Sequence, residues 1–237
     1  MTGCAIEPVR WDDSSRGTIP RQPVRKVDGF VYPAAPACAI SVRTATSGSA
    51  VFVAWWEIRS DSSAELVVAR SEAGAGRWKA RVVADTADRS ARGCGRPPPD
   101  IAVDSASGYL HLAYFLEPAQ GAGVFYAHSM DGGQSFHEAV PIVFGRNPAR
   151  VSIASSGDRV VVAYEDPNSS QPEINLALSR TMGHLFEQRA DASGDNVRAK
   201  QPVVSLGGDT VRVWWSVYSA NPTISATRPG YRQGIWE

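Results

Sequence analysis

The segment VFVAW at residues 51–55 has three counterparts further along the chain. They are LHLAY at residues 110–114, VVVAY at 160–164 and VRVWW at 211–215, so successive copies begin 59, 50 and 51 residues apart. Each copy is rich in β-branched and aromatic residues, a composition typical of a buried β-strand. Self-similarity at this period predicts a repeat architecture, which places equivalent loops of each unit on the same face of the molecule.

Each unit can be divided into four strands around the shared segment. First strands are predicted ahead of it, at residues 39–43, 101–104, 150–154 and 202–206. Third strands align on a shared alanine: Ala69, Ala127, Ala177 and Ala226. Fourth strands are predicted to begin at Trp78, Phe136 and Phe186, and near Trp236. Short antiparallel strands at this spacing predict an all-β fold, a small β-propeller with about four visible four-stranded blades.

The chain of 237 residues is predicted to hold a single propeller domain at residues 32–237, with residues 1–31 left over. This N-terminal segment could supply a strand that closes the ring, form part of a fifth blade, or remain a loosely held arm. We favour closure of the ring, because an open sheet edge exposes unpaired backbone groups.

The composition excludes several functional classes. The 24 basic residues balance 24 acidic ones, so the net charge does not indicate binding to nucleic acid. The apolar runs have the length of strands and predict no transmembrane helix. The four histidines fall in different strands and turns, without the spacing of a metal site: His111, His128, His137 and His184. No phosphate-binding glycine loop is found, so we predict neither a metal nor a cofactor.

The three cysteines suggest an exported protein. Cys38 and Cys94 each lie close to the start of a first strand in successive repeats, where a disulfide could join them or both could be buried free thiols. The sequence after Met1 is polar, which does not indicate an intact signal peptide. Cys4, in the sequence MTGC, resembles the end of a bacterial lipobox. Lipidation of Cys4 would anchor the protein to a membrane, at the periplasmic or cell surface.

The segment SMDGGQSF at residues 129–136 matches the pattern Ser-x-Asp-x-Gly-x-Thr-Trp, with conservative replacements at the last two positions. It resembles the Asp-box of sialidase-like β-propellers, and degenerate copies lie at residues 71–78 and 179–186. The turn begins at Ser129, and in it Asp131 can accept hydrogen bonds from backbone N–H groups, Gly133 permits a positive φ and Phe136 anchors the turn in the core. The resemblance covers the chain from about residue 36 and implies a fold. In that family the turns are structural and lie opposite the binding face.

The strand directions then assign the other loops to a top face. Three glutamates follow the second strands: Glu57, Glu117 and Glu165. Three arginines precede the first strands: Arg96, Arg146 and Arg198. The arginines could converge on an anion, as the arginine triad does in the sialidases that the chain resembles. Alternatively, each arginine could pair with an acidic neighbour and fix a loop, and this structural interpretation is the one we favour.

The residues favour a binding module over an enzyme. The Arg-Ile-Pro element that the resemblance implies is not matched by Thr18-Ile19-Pro20-Arg21. We therefore predict a non-catalytic propeller that presents its top face to a glycan or a protein, through exposed aromatic residues at Trp56, Phe115 and Tyr218. The first alternative is a glycoside hydrolase or lyase that acts on an acidic sugar through the arginines. The second is an oligomeric scaffold whose ring another chain completes.

Overall fold

A computed structural model describes residues 7–12, 19–23, 37–72, 78, 81–194, 197–219 and 228–237. These residues form four separate antiparallel sheets of four strands each. The all-β architecture of four four-stranded blades predicted from the repeat is therefore confirmed. No helix among the described residues is long and apolar enough to cross a membrane.

Each blade runs from an inner strand to an outer strand. Blade 1 consists of β2 (Arg43–Ser47), β3 (Ala50–Ile58), β4 (Ala64–Glu72) and β5 (Val82–Asp85). Blade 2 consists of β6 (Asp100–Val103), β7 (Leu110–Leu116), β8 (Gly123–Ser129) and β9 (Val140–Phe144). Blade 3 consists of β10 (Val151–Ser156), β11 (Arg159–Glu165), β12 (Ile174–Ser179) and β13 (Gln188–Asp191). Blade 4 consists of β14 (Ala199–Gly207), β15 (Thr210–Val217), β16 (Arg228–Trp236) and β1 (Val9–Trp11).

The four repeated segments are the second strands of the four blades, as predicted. In blades 1 to 3 the aligned alanines lie in the third strands, where Ala69, Ala127 and Ala177 face equivalent positions of the second strands. The alignment fails in blade 4. Ala226 lies outside the described residues, and the residue opposite Val213 is Arg232. The repeat is therefore regular in backbone position, while its side chains have diverged in the last blade.

Trp236 was predicted to lie near the fourth strand of blade 4, but it ends the third strand instead. The fourth strand comes from the N-terminus, where Val9 pairs with Trp236 and Trp11 with Gly234. The N-terminal segment thus supplies the fourth strand of blade 4. The physical reason is that β16 would otherwise present an unpaired backbone edge.

Two further strand predictions need correction. In blade 1 the first strand begins at Arg43, because Ala39–Ser41 form a 3₁₀ turn ahead of it. The fourth strands of blades 1, 2 and 3 begin after Trp78, Phe136 and Phe186, at Val82, Val140 and Gln188. Both differences arise where a turn inserts extra residues between strands, which hydrophobic alternation alone does not locate.

The core lies between neighbouring blades. Alternate residues of a second strand face opposite neighbours: Tyr114 packs toward blade 1, and Phe115 packs toward blade 3. In blade 3, Tyr164 faces blade 2, whereas Ala163 faces blade 4. Because both faces of a middle blade are covered, both sets of alternating side chains are buried.

The inner strands lie side by side in the order β2, β6, β10 and β14. Among the described residues, β14 does not pack closely against β2, so this side-by-side packing does not continue from blade 4 to blade 1. Residues that precede β2 in the chain contact both of these end blades. The carbonyl oxygen of Pro20 accepts a hydrogen bond from Trp214 Nε1 of blade 4 at 2.9 Å, and Ala37 forms a bridge with Glu57 of blade 1.

Candidate functional site

Arg96 lies at the top of the junction between blades 1 and 2, and its side chain is buried. Its Nη1 is 2.7 Å from Asp88 Oδ2, and the two side chains are 3% and 0% exposed. Nε and Nη2 donate to three backbone carbonyls, those of Gly93, Ser62 and Ser90. The guanidinium also lies over the ring of Trp56, 5.6 Å from its centroid. All of these contacts are to other groups of the protein. Arg96 therefore holds a loop in place and is not available to a ligand.

A disulfide lies in the same junction. The structure joins Cys38, at the start of blade 1, to Cys94 in the connection from blade 1 to blade 2. Cys94 lies within a 3₁₀ turn at Gly93–Gly95, whose first carbonyl accepts from Arg96 Nε. The disulfide and the ion pair therefore hold the same loop.

Two aromatic residues that the sequence analysis placed at the surface are instead in the core. Trp56 is fully buried, with its Nε1 donating to the carbonyl of Pro97 at 2.9 Å. Phe115 is 2% exposed and packs between blades 2 and 3. The prediction of exposed contact residues at Trp56 and Phe115 was wrong, because a propeller strand is covered on both faces.

The other two arginines do not join Arg96. Arg146 is exposed on the loop between β9 and β10. Arg198 is partly buried ahead of β14, and its Nε has no hydrogen-bond partner among the described residues. Because Arg96 is sequestered by Asp88, the three guanidinium groups cannot act as one anion site.

The three top-face glutamates are also engaged. Glu57 accepts a hydrogen bond from Arg81 Nη1 at 2.6 Å. Glu117 forms an ion pair with Arg92, in which Arg92 Nη2 donates to Glu117 Oε1 at 2.9 Å. The hydrogen bonds from Arg92 hold the pKa of Glu117 below its usual range. Glu165 bridges blades 3 and 4 through backbone amides. These glutamates hold loops in place.

Glu165 positions a strained residue of blade 4. Its Oε1 accepts from the amide of Gln201 at 2.8 Å and its Oε2 from the amide of Arg150 at 3.2 Å. Gln201 has a φ of 58°, in the left-handed region that most side chains avoid. The register of β14 against β15 shifts beside it, between Lys200 and Val203. The inner strand of blade 4 is thereby bent at its upper end.

Tyr218 lies close to this bend at the top of blade 4. It is partly buried, and the Lys200 ammonium is 6.0 Å from the centroid of its ring. Its amide donates to the carbonyl of Arg198 at 2.9 Å. Of the three aromatic residues predicted as ligand contacts, Tyr218 is the one that the structure leaves partly accessible.

A cavity of about 440 Å³ opens at the top of the junction between blades 3 and 4. Trp215, Val217 and Val197 supply apolar surface, and Arg228 and Arg232 supply positive charge. The described lining residues include no aspartate or glutamate. A cavity of this size, mainly apolar with a few charged groups, is typical of a small-ligand site.

The indole of Trp215 lines this cavity with little of its surface exposed. Trp215 is 8% exposed, and its Nε1 has no hydrogen-bond partner among the described residues. The indole lies against Gly230, where an added Cβ would come within 2.0 Å of Nε1. Glycine at position 230 therefore makes room for the ring. The sequence analysis assigned Trp215 to the core, and only the pairing of β15 with β16 places Gly230 opposite it.

The turn that resembles an Asp-box lies at the opposite, lower end of blade 2. Asp131 accepts from the amides of Gln134 and Ser135 and from the hydroxyls of Ser135 and Ser129. These hydrogen bonds, led by the one from the Ser135 side chain, hold the pKa of Asp131 far below its usual range. Gly133 has a φ of 85°, and Phe136 is partly buried against the core. The carboxylate is thus occupied by its own turn.

All four histidines meet at this lower end, between blades 2 and 3. The ring of His128 is 4.5 Å from that of His137 and 4.7 Å from that of His184, and His111 faces His128 across β7 and β8. They belong to different strands and turns, so their spacing in the sequence did not predict that they would meet. No group of three or more potential metal ligands among the described residues is arranged to hold an ion.

No protein-family model matches the sequence, and no curated protein matches it either. Solved structures do match. A Hadza microbial sialidase, Hz136, superimposes with a TM-score of 0.57 at 14% identity, over 81% of this chain and 43% of that one. The phage phi92 endosialidase gives a TM-score of 0.55 at 11% identity, over 82% and 35% of the two chains.

A polysaccharide lyase, PL25-Ulvanlyase, gives a TM-score of 0.52 at 13% identity, over 74% of this chain and 44% of that chain. The chain thus spans less than half the length of these three proteins. At such identities the likeness defines the fold alone. The chain has the sialidase-like β-propeller fold.

Proposed function

We propose that this chain is a non-catalytic binding module of the sialidase-like propeller type, which holds an acidic sugar of a glycan on its top face. The observation that carries the proposal is the cavity between blades 3 and 4, with its apolar wall and its two arginines. An aromatic ring can stack on the apolar face of a sugar, while guanidinium groups bind carboxylate or sulfate.

The charge of the cavity favours an acidic sugar over a neutral one. Arg228 is exposed at its rim, and Arg232 lies deeper, with its guanidinium 4.6 Å from the ring centroid of Trp11. Since the described lining carries no carboxylate, nothing in it neutralises Arg228. The printed names of the matched proteins, a sialidase, an endosialidase and an ulvan lyase, support a carbohydrate ligand for this fold.

The engaged state of the other top-face groups supports binding without turnover. Glycoside hydrolysis commonly needs two carboxyl groups free to exchange protons beside the substrate. Glu57, Glu117 and Glu165 are each committed to an arginine or to backbone amides. Sialidase-type use of converging arginines is disfavoured by the burial of Arg96. We further propose that the protein is exported, where glycans are accessible.

The test is calorimetric titration of the whole chain at pH 7 with sialyllactose and hexuronate oligosaccharides, with lactose as the neutral probe. We expect Arg228→Gln to weaken binding of the acidic sugar roughly tenfold, about 1.4 kcal/mol. Arg146→Gln, an exposed top-face arginine outside the cavity, is the matched control and should bind like the parent chain.

Three results would overturn the proposal. Failure to bind any of the acidic oligosaccharides would remove the glycan ligand. Binding that is equally strong in Arg228→Gln and Arg146→Gln would remove this cavity as the site. Turnover in a fluorogenic sialoside assay, or release of unsaturated sugar from a uronate polymer, would show that the module is an enzyme.

A further inference from the structure

The lower junction of blades 2 and 3 concentrates every histidine of the chain. His111 and His128 face each other on β7 and β8 and are 0% and 6% exposed. His137 is exposed just after the turn of blade 2, and its ring stacks on that of His128 at an interplanar angle of 8°. His184 comes from the equivalent turn of blade 3, so the cluster spans the two blades.

The hydrogen bonds of Tyr126 define how His111 is protonated. The Tyr126 hydroxyl donates to the carbonyl of Met182 in blade 3 at 3.1 Å, and it lies 2.7 Å from His111 Nδ1. Since a phenol has one proton to donate, Nδ1 of His111 is the donor in the second contact. Nε2 of a neutral His111 is therefore a bare lone pair, and it is buried without a partner among the described residues.

His128 is in a similar position. Its Nε2 is also buried without a hydrogen-bond partner among the described residues. Burial and the neighbouring imidazoles lower the pKa of His128 to about 4, and burial lowers that of His111 to about 4 as well. Both rings are therefore neutral at pH 7.

The anions that face the cluster are already occupied. Asp104, from the turn after β6, is 4% exposed and accepts from the amides of Ala106, Ser107 and Gly157 and from the Ser107 hydroxyl. Asp131, on the neighbouring turn of blade 2, is bound by its own turn. Apart from these carboxylates, the titratable groups that face the buried imidazoles are Tyr126, His137 and His184. Protonation would thus place positive charges in a junction where the described residues offer no free carboxylate to meet them.

The blade 3 turn packs closely against this cluster. The Phe186 ring is 4.9 Å from that of Tyr126. Gly183 approaches so closely that an added Cβ would come within 1.8 Å of the Tyr126 hydroxyl. The blade 3 turn and Tyr126 therefore have no space between them. Repulsion between charged imidazoles would displace this turn.

We propose that the lower junction of blades 2 and 3 is an acid-sensitive latch, closed while His111 and His128 are neutral and opened when they take up protons. The direction follows from linkage. The unfolded or opened state binds protons near pH 6.5, whereas the closed state resists them until about pH 4. The closed state is therefore fully favoured above pH 6.5, and this preference is lost as the pH falls toward 4.

The first test is NMR titration of the four histidine ring signals in the whole, unmodified chain. We expect two of them to titrate below pH 5, and assignment through single variants should identify them as His111 and His128. If both buried histidines titrate near pH 6.5, the latch does not exist. The titration itself is made on the parent chain, and variants are needed only to assign the signals.

The second test is hydrogen exchange followed by mass spectrometry, corrected for the intrinsic effect of pH on exchange. Between pH 7.5 and pH 4.5 we expect protection of residues 123–129 and 179–186 to fall roughly 50-fold, which is about the change that one such pKa shift allows. Peptides from β14, in the histidine-free junction of blades 3 and 4, serve as the internal control.

A variant connects the two tests. His128→Phe keeps an aromatic ring on Tyr126 and His137 but cannot be protonated, so loss of protection should begin at lower pH than in the parent chain. Equal loss of protection in both junctions, or an unchanged pH profile in His128→Phe, would overturn the latch. Neither outcome bears on glycan binding, which is tested at pH 7 and at the opposite face.

Discussion

The junction of blades 1 and 2 and the junction of blades 3 and 4 occupy equivalent places on the top face, yet one is sealed and the other is open. At the first, Arg96 is buried on Asp88, Cys38 is bonded to Cys94, and Trp56 fills the space beneath. The second holds a cavity of about 440 Å³. Positions that are equivalent in the repeat therefore have separate roles in the two junctions.

The length of the connection between blades explains much of this contrast. Residues 86–99 lead from β5 to β6 and are numerous enough to fold back over the junction, bringing Asp88 to Arg96. Residues 192–198 lead from β13 to β14 and are only half as many. Arg198 has the same position in the repeat as Arg96, but its Nε has no partner among the described residues.

The largest effect is expected when the charge of Arg96 is removed. Arg96→Met keeps an apolar stem over Trp56 but leaves Asp88 fully buried, where the described residues still give it hydrogen bonds from the Ala64 amide and the Ser90 hydroxyl. We expect the free energy of unfolding to fall by about 3–5 kcal/mol, measured by urea denaturation. The double variant Arg96→Met with Asp88→Leu should recover part of that loss. A loss below about 1 kcal/mol in the single variant would contradict a structural role for this pair.

The next largest effect should come from the disulfide. Replacing Cys38 and Cys94 by serine removes a cross-link between residues 56 positions apart. We expect about 2–4 kcal/mol of stability to be lost, because the unfolded chain regains the freedom that the cross-link removes. The measurement is urea denaturation of the serine variant, with the reduced parent chain for comparison. Equal stability of the oxidised and reduced parent would show that the ion pair alone holds the loop.

The smallest effect should come from Arg198→Met, the matched control for Arg96→Met. Arg198 is partly exposed, and among the described residues no carboxylate forms an ion pair with it. We therefore expect the free energy of unfolding to change by no more than about 1 kcal/mol in the same denaturation experiment. A loss as large as that of Arg96→Met would mean that the two junctions are alike after all.

The sequence predicted the sheets well because each second strand carries its own signal. The alternation in segments such as residues 51–55 and 160–164 is local, and so are the turn residues beside them. Trp56 and Phe115 were mispredicted for a related reason. Alternation distinguishes two faces of a strand, but it does not reveal that neighbouring blades cover both.

The candidate sites were less predictable, because they depend on residues far apart in the sequence. The pairing of Trp215 with Gly230 requires the register of β15 on β16. The histidine cluster requires two blades to meet, so that His128 contacts His184 across 56 positions of sequence. A single sequence contains no local signal for either contact.

The repeat, the four-strand blades and the turn around Asp131 were determined by the sequence alone, since hydrophobic alternation and turn chemistry act over a few residues. Only the tertiary structure shows which N-terminal residues complete blade 4, that Asp88 is the partner of Arg96 and where all the histidines meet. The physical reason is that burial and charge pairing depend on which segments come together, and in this chain those segments belong to different blades.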